Sequence, residues 1–243
     1  MLDNHYTHPR LAAIYDASRR WREDFDFYLA LARSKPMRVM ELGCGTGLLS
    51  RAYARDGHDV TGVDPAASML AVAKTEPHGD SVAWVNAFAQ TYRSDRQFDL
   101  IVMTGHAFQV LMTDVDMLMA FAALRTHLAP GGTAVFESRN PGFDWAEVWD
   151  EETIIRHGGQ EIGHSVKLSS FADERLTFEM RYRFSDTELV SNSVLRFPTN
   201  DHVVRGLEAS GLQVEAVLGD WLGGPFHAKT SREMIFKVRA SDR

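Results

Sequence analysis

At 243 residues, with 44% hydrophobic and 24% charged side chains, the chain has the size and composition of one large globular domain that buries its core without staples. The formal net charge of −7 argues against a protein that grips phosphate backbones, since that needs a basic surface. A single cysteine, Cys44, excludes an internal disulfide and cysteine-built zinc sites, and the histidines show no HExxH-type pairing, so no metal is expected.

In chain order, Ile14, Trp21, Phe25, Tyr28, Leu29 and Ala32 recur at helical spacing and predict one or two helices over 11–33, ended by Pro36. A short apolar strand, Arg38–Leu42, runs straight into the glycine loop Gly43-Cys44-Gly45-Thr46-Gly47. Helical spacing resumes at Leu48–Arg55 and stops at Gly57. Strands are then predicted at 59–63, 82–85, Phe98–Met103 and 133–138, with helices at 68–74 and 114–128 and a turn at Pro130-Gly131-Gly132. Strands alternating with helices imply a parallel sheet covered on both faces.

The pattern changes after Trp149. Residues 152–197 read as a meander of antiparallel strands, with turns at Gly158-Gly159, Asp173-Glu174 and Ser185-Asp186. Leu176, Phe178, Met180, Tyr182 and Phe184 alternate with polar residues, so one face of that strand covers something apolar. A helix over 201–210 and strands over 213–218 and 234–238 close the chain. The expected organisation is one domain over 1–243, with an N-terminal helical cap over 1–35 and an antiparallel insertion over 145–198 that serves as a lid or a dimer contact.

Strand, glycine loop and helix make a nucleotide-binding corner, and two ligand classes use it. A dinucleotide loop wants GxGxxG, and Leu48 stands where the third glycine belongs. Glu41, two residues before the first glycine, suits a ligand carrying an ammonium and a sulfonium better than a pyrophosphate. Asp64 ends the next strand, where a carboxylate accepts hydrogen bonds from both ribose hydroxyls.

The run Val39-Met40-Glu41-Leu42-Gly43-Cys44-Gly45-Thr46-Gly47 resembles the first motif of the class I S-adenosylmethionine-dependent methyltransferases, and Val63-Asp64-Pro65-Ala66-Ala67-Ser68-Met69-Leu70 the second. Phe98-Asp99-Leu100-Ile101-Val102 resembles the family's fourth strand, and Leu128-Ala129-Pro130-Gly131-Gly132 the turn before its fifth. The likeness covers about residues 36–140. It implies an α/β fold, a Rossmann-like seven-stranded sheet with its last strand antiparallel and helices on both faces, interrupted by the antiparallel β insertion after the fifth strand. It also implies S-adenosylmethionine as cofactor and S-adenosylhomocysteine as product. By the same resemblance Glu41 holds the methionine amine, and Gly43, Gly45 and Gly47 form the floor under the cofactor. Asp64 binds the ribose, and Pro65 and Met69 border the adenine. Tyr15, Cys44 and Thr104 belong to the same cofactor set, with Cys44 a small buried filler and no nucleophile. Where the family often places an adenine-binding Asp this chain has Phe88, which contacts the ring without accepting a hydrogen bond, leaving that bond to the backbone of Ala87 to Ala89.

Methyl transfer from a sulfonium is an in-line displacement in which orientation supplies much of the rate, and a base is needed only for a protonated nucleophile. His106, just past the fourth strand, is the candidate base; its other role is a bond to a nearby backbone group. The stretch Thr104-Gly105-His106-Ala107 does not match the [DN]PP[YF] of enzymes that methylate nucleic-acid bases. Together with the charge this points to a small-molecule methyl acceptor, at its oxygen or nitrogen, and away from nucleic acid. Arg139 is placed to clamp an acidic group of that acceptor or to pair with Glu137, and Trp21, Trp149 and Trp221, with Tyr15, to line an apolar pocket. Two other readings remain open here: an NAD(P)-dependent oxidoreductase, and a non-catalytic protein that binds the cofactor only. The first ten residues, MLDNHYTHPR, lack the apolar core of a signal peptide, and no apolar run reaches bilayer length, so no membrane association and a cytoplasmic location are expected. Strand-rich insertions also mediate dimerisation, which makes a homodimer a second use of the meander.

Overall fold

A computed structural model describes residues 2–18, 23–32, 35–145 and 149–241. Its main sheet has seven strands: β1 (Arg38–Leu42), β2 (Asp59–Asp64), β3 (Val82–Asn86), β4 (Phe98–Met103), β5 (Leu128–Arg139), β10 (Leu212–Leu218) and β11 (Glu233–Ala240). Their spatial order is β10-β11-β5-β4-β1-β2-β3, and β11 runs antiparallel between its neighbours. This is the Rossmann-like arrangement that the motifs imply.

The helices are α1 (Asn4–Thr7), α2 (Pro9–Ser18), α3 (Glu23–Ala30), α4 (Leu48–Arg55), α5 (Ala67–Thr75), α6 (Asp114–His127) and α7 (Asn200–Ala209). Alternation along the strands sorts the core into two layers. Met40, Leu42, Ile101 and Met103 face Phe121 and Leu124 of α6 and Leu207 of α7. Val39, Leu100, Val102 and Ile235 face Tyr28 of α3 and Leu49 and Tyr53 of α4.

The predicted turn Pro130-Gly131-Gly132 lies inside β5. The register against β4 jumps there, from Phe98 opposite Leu128 to Leu100 opposite Thr133, so the extra residues form a bulge. A side chain at Gly132 would come within 2.8 Å of the Phe98 carbonyl, which explains the glycine. The helical stretch read at 11–33 is two helices, and the short α1 precedes them.

The meander is a separate four-stranded sheet: β6 (Glu151–His157), β7 (Gln160–Ala172), β8 (Arg175–Arg183) and β9 (Glu188–Arg196) in sequential order. Its apolar face, with Leu176, Phe178, Met180 and Tyr182, is buried with Leu11 and Ile14 of α2, Trp145 and Phe197. That face is therefore filled within the chain, by α2 and the segments that flank the second sheet. Among the described residues, no helix is long and apolar enough to cross a membrane.

Candidate active site

The carboxyl ends of β1, β2 and β4 open into a cavity of about 590 Å³. Glu41, 2% exposed, points from β1 toward α4. One of its carboxylate oxygens accepts from Ser50 Oγ at 2.5 Å, the other from Thr104 Oγ1 at 2.9 Å. Burial pushes its carboxyl up to about 7, against the downward pull of those two hydroxyls. A cation reaching this carboxylate would find the low-dielectric partner that an ammonium needs.

Asp64 ends the neighbouring strand. Its Oδ2 accepts from the Gly45 N–H and its Oδ1 from the Ala66 N–H, each at 2.8 Å. These bonds tie β2 to the glycine loop and leave further lone pairs facing the cavity. Gly43, Gly45 and Gly47 all hold positive φ, where a side chain is strained. At Gly43 a Cβ would also come within 2.6 Å of Ala107 Cβ, so the turn after β4 seats directly on the loop.

Gly43, Cys44, Gly45, Asp64, Pro65, Phe88, Thr104 and Tyr15 all line the cavity. Three members of the expected cofactor set lie behind it. A Cβ at Gly47 would sit 2.2 Å from the Trp84 ring, so this glycine packs the loop against β3. Met69 is buried beneath α2 with Ala12 and Ala66. The Ala87 N–H donates to the Asp64 carbonyl at 3.2 Å, so that amide stabilises the β2–β3 edge. Cys44 is buried beside Gly62, and burial holds its thiol in the neutral form, as suits a filler.

The expected acceptor-side residues are dispersed. His106 turns out of the cavity, its Nε2 2.9 Å from Glu233 Oε2, and faces a second hollow of about 400 Å³. Its own N–H donates to Glu137 Oε1 at 2.6 Å. Glu137, 1% exposed, is pushed by burial up to about 8 and also accepts from the Tyr28 hydroxyl. Arg139 donates to Gln109 Oε1 at 2.9 Å, and its guanidinium lies 4.9 Å from the centre of the Trp149 ring. Trp149 packs among Trp145, Phe178 and Phe197. Trp221 packs on Phe27 and Tyr28 near His106. Trp21 lies outside the described residues.

The wall opposite the glycine loop comes from residues that the motifs do not cover. Asp3 and Tyr6 flank and lie on α1; Val110, Leu111 and Met112 follow β4; Asp116 lies in the first turn of α6; Asn192 and Val194 are on β9. α1 bridges the cavity's rim. Asn4 donates to the Val190 carbonyl and the His5 N–H to Ser191 Oγ on β9, while Ser68 Oγ on α5 donates to the Tyr6 carbonyl. Gln109, fully buried, joins the insertion to the sheet by donating to the Arg196 carbonyl at 2.9 Å. The legible signal for this wall was Ser191-Asn192-Ser193, a polar run where strand alternation would bury apolar side chains.

Similarity to known proteins bears on the fold and on the segment that carries the loop. Residues 39–132 match the family model described as a methyltransferase domain. The cypemycin N-terminal methyltransferase of a Streptomyces species is 24% identical over 81% of this chain and 80% of its own length. A ubiquinone biosynthesis O-methyltransferase from Roseobacter denitrificans is 33% identical over 44% of each chain. Among solved structures, an S-adenosylmethionine-dependent methyltransferase from Clostridium acetobutylicum superposes with a TM-score of 0.80, at 16% identity, over 96% of this chain and 98% of its own. Residues 39–132 are a methyltransferase domain, and the chain as a whole has the fold of a solved S-adenosylmethionine-dependent methyltransferase, whose methyl donor is S-adenosylmethionine. The residues present fit that group: a buried carboxylate for its ammonium, a second one at the ribose position, and a glycine loop close enough to serve as floor.

Proposed function

We propose that this enzyme moves a methyl group from S-adenosylmethionine to an oxygen or nitrogen of a small organic molecule held between the glycine loop and the α1–β9 wall. The observation that carries the reading is the convergence of Glu41 and Asp64, from paired strands, on one cavity with room beyond them. When bound, the cofactor supplies an activated methyl on a sulfonium. Glu41 holds its ammonium, Asp64 its ribose hydroxyls, and Pro65 and Phe88 border its base. Tyr15 and Thr104 complete that lining, and Gly43 and Gly45 let it lie against backbone.

The acceptor would approach from the side of Met112, Asn192 and Val194. Residues 1–35 then act as a cap and 145–198 as an insertion that shapes the acceptor wall. His106 holds the turn after β4 through Glu233 and Glu137, and Arg139 and Trp149 brace the insertion. The matched relatives include enzymes named for O- and for N-terminal methylation, and this supports a small acceptor of either kind. The single thiol fits a reducing compartment, so a cytoplasmic location belongs to the same proposal.

Thermal unfolding with S-adenosylhomocysteine, S-adenosylmethionine, NAD and NADP, one at a time, tests the reading. At a hundredfold excess over Kd a specific ligand adds about 2.7 kcal/mol, roughly 5–10 °C for a chain of this size. A shift with the adenosyl compounds alone is expected; a shift with a nicotinamide cofactor alone would overturn it.

A further inference from the structure

The cavity's charge is one-sided. Asp3, Asp16, Glu41, Asp64 and Asp116 line it, and among the described lining residues there is no lysine, arginine or histidine. Three of the five carboxylates are assigned to the cofactor or paired with an arginine. Glu41 and Asp64 are assigned to the cofactor, and Asp16 accepts from Thr46 Oγ1 and from Arg51 Nη2, the latter at 3.2 Å. Asp3, hydrogen-bonded to the Ser193 side chain, and Asp116, whose Oδ2 accepts from Thr113 Oγ1 at 2.6 Å, have only neutral hydroxyl partners among the described residues, and they share the lining with Asn192 of β9 and the apolar Val110, Met112 and Val194.

The two kinds of acceptor make opposite demands on such a lining. Methylating a hydroxyl requires its proton to leave, so negative charge develops on oxygen while the sulfonium is discharged. Facing carboxylates oppose that charge, and no cation or imidazole in the described lining offsets it. Methylating an amine moves the positive charge from sulfur to nitrogen. The nitrogen lone pair forms the N–C bond, the C–S bond breaks with its pair staying on sulfur, and an N-methylated ammonium and a neutral thioether result. The cavity holds a cation from start to finish, and its carboxylates stabilise that cation throughout. An amine that arrives protonated first loses its proton to solvent.

We infer that the acceptor is a basic amine with a partly apolar body, selected by Asp3 and Asp116. The inference rests on the proposed methyltransferase reading and names its substrate class. Asp3 and Asp116 act as binding residues, with Asn192 available to a polar group of the acceptor's body.

The experiment uses the full chain with S-adenosylmethionine and matched probes: phenethylamine, cyclohexylamine and a methyl aminohexoside, each beside its hydroxyl and carboxylate counterpart. Product mass and released S-adenosylhomocysteine are the readouts. Methylation of the amines, and not of their counterparts, is expected. Asp3→Asn and Asp116→Asn keep the hydrogen-bonding shape and remove the charge. Each should raise the amine KM by about tenfold, with the Kd for S-adenosylhomocysteine within about twofold of the parent, and Asp116→Glu should restore it. Preference for the hydroxyl or carboxylate probes overturns the inference, as does an unchanged amine KM in both Asn variants. Failure of every amine at about 10 mM, in a protein that binds S-adenosylhomocysteine, also overturns it and leaves the cofactor reading standing. Failure to bind S-adenosylhomocysteine takes both down.

Discussion

The floor of the cavity and the wall opposite it are built in different ways. The floor, from β1, β2 and the glycine loop, is a backbone structure. Its glycines sit at positive φ, its turn is closed by the Gly43 and Cys44 N–H groups on the Val63 carbonyl, and its two carboxylates sit at the ends of paired strands. The wall, from α1, the turn after β4 and β9, is held by side chains: Asn4 and the His5 contact on Ser191 at one end, Gln109 at the other. Backbone constraint leaves a motif that many sequences share. Side-chain constraint can be met in many ways and leaves no such mark.

Substitutions on the floor should therefore cost the loop or the cofactor affinity, while those on the wall should leave the cofactor affinity intact. The largest effect is expected at Gly47. Gly47→Ala forces a side chain into left-handed backbone and into the Trp84 ring, for a loss of about 2–4 kcal/mol in chemical denaturation. A near-neutral result would mean that the loop is looser than its contacts suggest.

Asp64→Ala removes the carboxylate that the proposed function sets against the ribose and should weaken S-adenosylhomocysteine by about 3 kcal/mol, roughly a hundredfold in Kd by calorimetry. On the wall, Gln109→Leu leaves the Arg139 guanidinium and the Arg196 carbonyl without this amide and should destabilise the chain by about 2 kcal/mol. Its Kd for S-adenosylhomocysteine should stay near that of the parent. A parallel loss of cofactor affinity would erase the distinction between floor and wall.

The smallest effect is a pH dependence. Glu41, held up at about 7 by burial, binds an ammonium only in its ionised form. Ligand binding therefore releases a proton, and affinity for S-adenosylhomocysteine should rise about tenfold between about pH 6 and pH 8. Glu41→Gln should flatten that profile. The same raised carboxyl works the other way on the free protein. The folded state holds the proton more tightly than the unfolded one, so this contribution to stability is full at low pH and is lost as pH rises through about 7.

The seven-stranded sheet, the glycine loop and the acidic residue ending β2 were legible because each rests on local rules. Period-two and period-3.6 spacing marked the elements, and glycine at left-handed positions marked the loop. What the motifs do not tell is that the Trp84 ring packs against Gly47 and that α2 covers Met69. Local order could not show what would arrive from elsewhere in the chain.

By itself, then, the sequence determined the methyltransferase domain and the glycine loop with its two carboxylates, where strand order and loop backbone shape the floor. Tertiary structure alone decided the acceptor end. It turned His106 toward Glu233, spent Arg139 on Gln109, and brought Asp3, Asp116 and Asn192 to one cavity from three separate elements. The physical reason is range. Backbone geometry acts between neighbours, whereas the wall forms only when residues nearly two hundred positions apart, such as His5 and Ser191, close against each other.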